Sequence, residues 1–135
     1  MGWLPLRFVI ATVFLAGVFL FRPALGDTHV LVLNSYHPGM DWTDGQIAGV
    51  REALDRTDGV QFYIEYMDAK RLTDQLHLDN LHRLLAHKYQ AVPLDAIVST
   101  DNDAFDFLRR YRDELFPGVP VVFSGVNWFQ DDQIS

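Results

Sequence analysis

The period of apolar and polar positions changes several times along the chain. Residues 8–21 are apolar throughout apart from Thr12. After Asp27, short strand-like runs alternate with helical stripes. Residues 29–33 (HVLVL) form a short, mostly apolar run, as expected for a strand buried on both faces. A loop follows, marked by Pro38-Gly39. Thr43 is then expected to cap a helix, with Gln46 completing a capping box and Ile47, Val50 and Leu54 at helical spacing up to Asp58-Gly59. Residues 60–66 (VQFYIEY) alternate and are rich in β-branched and aromatic side chains, which predicts a second strand. Between Thr73 and Tyr89, Leu78, Leu81 and Leu85 make one stripe with Leu84 beside it, and Asp79 and Arg83 are spaced to pair. Residues 94–100 (LDAIVST) predict a third strand. Asp101 or Asn102 is placed to cap the next helix, whose stripe is Ala104, Leu108, Tyr111 and Leu115. Phe116-Pro117-Gly118 stops it, and residues 119–124 (VPVVFS) predict a fourth strand.

Such a series predicts an α/β fold, a parallel sheet with helices on both faces. Ligands of these sheets bind beyond the carboxyl ends of the strands, near the topological switch point. That rule selects residues 34–37, 67–68, 100–103 and 124–127. They are rich in hydroxyl, amide and carboxylate groups, which fix a small polar ligand, while Tyr36 and Trp42 supply an apolar wall. The same residue types also serve as ordinary turn and cap residues. Asn34, Ser35 and Asn127 have no evident capping role. Asp68 has Lys70 and Arg71 nearby as pairing partners, and His37 is a further contact candidate.

The first 26 residues change the picture. Arg7 and the amino terminus supply positive charge, the apolar run is about 14 residues long, and Ala24 and Gly26 match a small-residue cleavage pattern. Residues 1–26 are therefore expected to be a signal peptide cleaved before Asp27. A retained membrane anchor is the alternative, because counting back to Trp3 lengthens the apolar stretch. Either places residues 27–135 outside the cytoplasm, in the periplasm. All 18 acidic residues lie at or after Asp27, whereas two of the 11 basic ones precede it. A surface so acidic repels nucleic acid and anionic lipid, and suits neutral or cationic ligands. The absence of cysteine removes disulfides, thiol chemistry and cysteine metal sites.

Enzyme signatures are missing. Neither phosphate-binding glycine motif nor a G-x-S-x-G elbow is present. Asp101 and Asp103, two apart at a helix start, point to different sides. His77, His82 and His87 recur every five residues, so they spiral around their helix rather than converge on a metal. No catalytic residue, metal or cofactor is expected.

Four segments, VLVLNSYHPGMDWTDGQIAGVREAL, IEYMDAKR, LLAHKY and DAIVSTDNDAFDFLRRYRDELFPGVPVVFSGVN, resemble the ABC-transporter substrate-binding-protein-like family. The resemblance is closest to the versions that form extracytoplasmic sensor regions of bacterial histidine kinases and diguanylate cyclases, and it spans roughly residues 29–129. It implies the first lobe of a type I periplasmic-binding-protein fold, two α/β lobes joined by a hinge with a small molecule between them. In some relatives that molecule is an aromatic amino acid or similar solute. Carried over, the cleft-facing positions are Asn34, Ser35, Tyr36 and Trp42, then Asp68, then Thr100, Asp101 and Asn102, then Gly125 and Asn127. The partners implied are a small solute and a membrane-bound kinase, cyclase or ABC permease. The chain departs from the family by stopping at Ser135, where a second lobe is expected, so a fragment with weak residual affinity is anticipated. An exported α/β enzyme such as a hydrolase, and a truncated remnant that binds nothing, are the competing readings.

Overall fold

Alternating strand and helix patterns become a four-stranded, all-parallel sheet in the order β2-β1-β3-β4. The computed structural model describes residues 27–134. The strands are β1 (Thr28–Asn34), β2 (Val60–Tyr66), β3 (Ala96–Thr100) and β4 (Val121–Ser124). The helices are α1 (Asp41–Leu54), α2 (Gln75–Tyr89) and α3 (Asp101–Leu115), followed by a short 3-10 turn at Asp131–Ile134. The chain leaves β1 toward β2 on one side and returns to β3 on the other, so the switch point lies between β1 and β3. Right-handed crossovers then place α1 on the face opposite α2 and α3. The expected α/β architecture is thus present. The proposed signal peptide or anchor, residues 1–26, lies outside the described residues. Among the described residues no helix is long and apolar enough to cross a membrane.

The core lies between the sheet and the α2–α3 pair. Leu31, Leu33 and Ile97 from the strands meet Leu81, Leu85 and Tyr89 from α2 and Ala104, Phe107 and Leu108 from α3. Each large apolar side chain buried here contributes about 1.5–3 kcal/mol. Leu84, expected beside the α2 stripe, is 49% exposed and takes no part in it. Tyr89 donates to Glu65 Oε1 at 2.6 Å, and Lys88 pairs with the same carboxylate, which fastens α2 to edge strand β2. Burial, then the bond to Glu65, pushes the Tyr89 phenol far above its usual range.

Helix starts differ from the sequence pattern in an instructive way. α1 begins at Asp41, and no side chain caps it from Met40. Thr43, expected as the cap, is buried inside the first turn at 1% exposure, and its hydroxyl has no hydrogen-bond partner among the described residues. Gln46 forms no capping box. Instead Asp44 Oδ1 accepts from Gly39 N–H at 3.1 Å, a carboxylate in the first turn where the helix dipole favours it. α2 is capped by Asp74, which accepts from His77 N–H at 2.9 Å. Asp79 and Arg83 do not pair: Asp79 accepts from Gln75 at 2.7 Å and Arg83 donates to Asn80 at 2.6 Å.

Neither Asp101 nor Asn102 caps α3. That task falls to Ser35 at the end of β1, whose hydroxyl accepts from Ala104 N–H at 2.8 Å and donates to Thr100 C=O at 2.6 Å. The third and fourth strands also begin two residues later than expected. Leu94 N–H turns back to Val92 C=O at 2.9 Å and Val119 N–H to Phe116 C=O at 3.1 Å, which removes both residues from the ladders.

Ser35 has no exposed surface, so Ser35→Ala strands the Ala104 amide in the interior and leaves Thr100 C=O its longer bond from Ser35 N–H at 3.3 Å. The expected loss is about 1–3 kcal/mol of unfolding free energy, read as a lower urea midpoint at unchanged slope. Leu84→Ala, at an exposed site, is expected to change stability by less than about 0.5 kcal/mol.

Candidate functional site

The strands end level with one another. Asn34 aligns with Tyr66 and with Thr100, and Thr100 aligns with Ser124. The polar segments that trail the strands therefore gather along one rim. Three non-glycine residues hold left-handed backbone conformations, and all follow strand ends: Asp68 (φ 57), Asp101 (φ 66) and Trp128 (φ 60). Each such residue stores about 1–3 kcal/mol of strain, and strain of this kind clusters at ligand-binding segments.

Asp101 is the centre of the rim. Only 5% of it is exposed, and it takes part in none of the ion pairs among the described residues. Neutral donors compensate its charge instead. Trp42 Nε1 lies 2.9 Å from Oδ1 and 3.1 Å from Oδ2, and Gln46 Nε2 donates to Oδ2 at 2.9 Å. Gln46 in turn accepts from Ser124 Oγ at 2.8 Å. The chain Trp42–Asp101–Gln46–Ser124 thus links α1 to the ends of β3 and β4. It holds the Trp42 indole by its nitrogen while 55% of that residue stays open to solvent. Gly125 (φ +70) completes the packing, because a Cβ there would lie 2.9 Å from Asp101 Oδ1.

Tyr36, Lys70 and Asp103 form a second cluster, from the ends of β1, β2 and β3. Lys70 Nζ lies 4.4 Å from the Tyr36 ring centroid. Partial burial raises the Asp103 carboxyl above its ordinary value, and the Lys70 charge opposes that rise. A hollow of about 190 Å³ lies beside Asp103, with Met67, Leu78 and Phe107 in its lining. A larger groove, about 450 Å³, lies away from the rim, between α3 and β4.

The remaining sequence-predicted residues divide by depth. Asn34, Ser35 and Thr100 are buried below the rim. Asn34 donates to Glu65 C=O at 3.1 Å and accepts from Thr100 Oγ1 at 3.2 Å. These residues form the floor of the rim, and protein groups occupy their polar atoms. Asn102 and Asn127 hold each other through Asn102 Nδ2 to Asn127 C=O at 3.2 Å and Asn127 N–H to Asn102 Oδ1 at 3.1 Å. Asp68 pairs with Arg71 at 3.4 Å through Oδ2, and its Oδ1 is enclosed without a partner among the described residues. His37 Nδ1 contacts Pro38 C=O at 3.0 Å. Tyr36, Trp42, Asn102, Gly125 and Asn127 therefore remain near the surface, and of these Trp42 and Gly125 border the carboxylate of Asp101.

Sequence reasoning overlooked Gln46, Ser124, Lys70 and Asp103 as parts of this site. Gln46 fits a capping box, Lys70 fits a partner for Asp68, and both local patterns hide the longer-range role. The strand-end rule did select the segments containing Ser124 and Asp103.

Gly125→Ala forces a Cβ onto Asp101 and adds left-handed strain. A loss of about 1–3 kcal/mol is expected in urea unfolding, with a shifted Trp42 indole N–H resonance. For Asp103, a folded-state pKa above the unfolded one favours folding where the carboxyl is protonated, and that advantage fades as pH rises through the folded pKa. Asp103→Asn should therefore melt higher than the parent chain at pH 7, with the gap closing below about pH 4. Equal gaps at both pH values would contradict that origin.

Compared with known proteins, the chain matches no family model, no curated protein and no solved structure.

Proposed function

We propose that this chain recognises a small polar solute at the carboxyl rim of its sheet, outside the cytoplasm, without enzyme chemistry. In this reading it is the first lobe of a two-lobed solute-binding domain of the periplasmic-binding-protein kind. Such a lobe serves either as sensory input to a membrane-bound histidine kinase or diguanylate cyclase, or as an ABC-transporter binding protein beside its permease. The observation that carries the reading is the network around Asp101. A buried, strained carboxylate holds the exposed indole of Trp42 by its nitrogen while linking α1 to the ends of β3 and β4. That arrangement fixes an aromatic wall before any ligand arrives, which lowers the entropy lost on binding. Lys70 and Asp103 add one charge of each sign beside Tyr36, a pattern suited to a zwitterion with an apolar side chain.

The test uses each of the twenty L-amino acids separately, at millimolar concentration, in thermal unfolding of the full chain. A solute at ten times its Kd adds about 1.4 kcal/mol, several degrees of Tm for a lobe of this size. Aromatic amino acids are expected to raise Tm, and Trp42→Ala or Lys70→Ala to remove the rise. If none of the twenty raises Tm, or if the rise survives both substitutions, the rim is not the binding site.

A further inference from the structure

The hollow of about 190 Å³ beside Asp103 is walled by the segment after β2, by α2 and by α3. None of its lining comes from β4 or the residues after it. Its floor is apolar: Met67 and Phe107 are buried, and Leu78 is half-buried. The Phe107 and Tyr111 rings, tilted at 51° with centroids 4.9 Å apart, add an aromatic wall. Water finds few partners over such a floor, whereas a dry cavity of roughly 150 Å³ with similar walls binds benzene. The space therefore suits one aromatic ring with a short tail.

The charged lining is unevenly engaged. It holds two carboxylates, Asp103 and Asp106, and one guanidinium, Arg110. Arg110 is held twice: its Nη1 donates to Gln75 Oε1 at 3.1 Å, and the guanidinium lies 4.9 Å from the Tyr111 ring centroid. Gln75 also donates to the Tyr111 hydroxyl at 3.2 Å, which ties that corner together. Asp106 faces Arg109 at 3.7 Å. Asp103 takes part in none of the ion pairs among the described residues. Lys70, whose charge acts on it, lies over the Tyr36 ring instead. Partial burial already penalises the charged form of Asp103. A cation set against this carboxylate from inside the hollow gains an attraction that water screens less than at an open surface.

We propose that this hollow binds a small primary amine carrying a single aromatic ring, with the ring against Met67, Leu78 and Phe107 and the ammonium on Asp103. The Met67 thioether is a favourable neighbour for such a ring. A carboxylate in the ammonium's place meets Asp103 and Asp106 and is repelled. Arg110 can turn to it only by giving up Gln75 and the Tyr111 ring, so the site selects by sign of charge. It borders the rim through Asp103 alone. The side chains that would hold the ring play no part in the solute reading of Trp42 and Asp101, so either site can fail without the other.

The probe is phenethylamine, with hydrocinnamate as the matching carboxylate, titrated into the full chain at neutral pH. At millimolar amine, nuclear Overhauser contacts are expected from its ring protons to the Met67 ε-methyl and the Leu78 methyls. Chemical-shift titration should show the amine binding about fivefold or more tighter than hydrocinnamate. Asp103→Asn, a same-sized change on an exposed position of α3, should weaken the amine about fivefold and leave hydrocinnamate no weaker. That variant is expected to melt higher than the parent chain, so weaker binding is not a sign of unfolding. Four results would overturn the proposal. One is the absence of contacts to Met67 and Leu78 at millimolar amine. Another is contacts to the Trp42 or Tyr36 rings in their place, which would put the amine on the rim. The third is equal affinity for the amine and the carboxylate. The last is unchanged amine affinity in Asp103→Asn.

Discussion

The fold turns on the place where β1 and β3 end side by side and the chain departs in opposite directions. Backbone groups at such a point lose their ladder partners while still buried, and each one left unpaired costs about 1–3 kcal/mol. Asn34 and Ser35 answer this directly. The Asn34 carboxamide reaches Glu65 C=O on β2 and Thr100 Oγ1 on β3, and the Ser35 hydroxyl spans Thr100 C=O and Ala104 N–H. Two adjacent side chains thereby join three strands and set the start of α3. The rim above them inherits a floor in which Asn34, Ser35 and Thr100 are tied into one hydrogen-bonded network.

That junction also explains what could be read from the sequence. Strand and helix order follows from periods of two and of three to four, and both signals are local. The leucine stripe of α2 is legible because Leu81 and Leu85 face a core whichever neighbours supply it. The role of Ser35 is not legible, because the amide it caps lies 69 positions away. Gln46 illustrates a competition between local and distant demands. Three residues after the expected Thr43 cap it could serve an exposed amide that water serves as well, but the helix starts at Asp41 and makes it the sixth residue. It goes to Asp101, 55 positions on, where a carboxylate with no cationic partner needs every donor within reach. Local patterns mispredict side chains when a buried charge elsewhere has the stronger claim.

Asp101 also shows why the strained position is tolerated. A left-handed residue is disfavoured for most side chains, and aspartate is among the few that adopt it readily. The remaining strain is offset by the bonds from Trp42 and Gln46. Gly125 is required for a different reason: its missing side chain leaves the space that the carboxylate fills. One residue thus fixes the identity of three others, drawn from the segments after β1 and β4.

Coverage of the sheet is uneven, and the unevenness falls on the strand that completes the rim. β1 and β3 have neighbours on both sides, whereas β4 is four residues long and pairs with β3 alone. Short, singly paired strands open most readily. What ties the end of β4 to the rest is polar: Ser124 to Gln46, and Asn127 to Asn102. The same bonds that shape the rim therefore also restrain the edge.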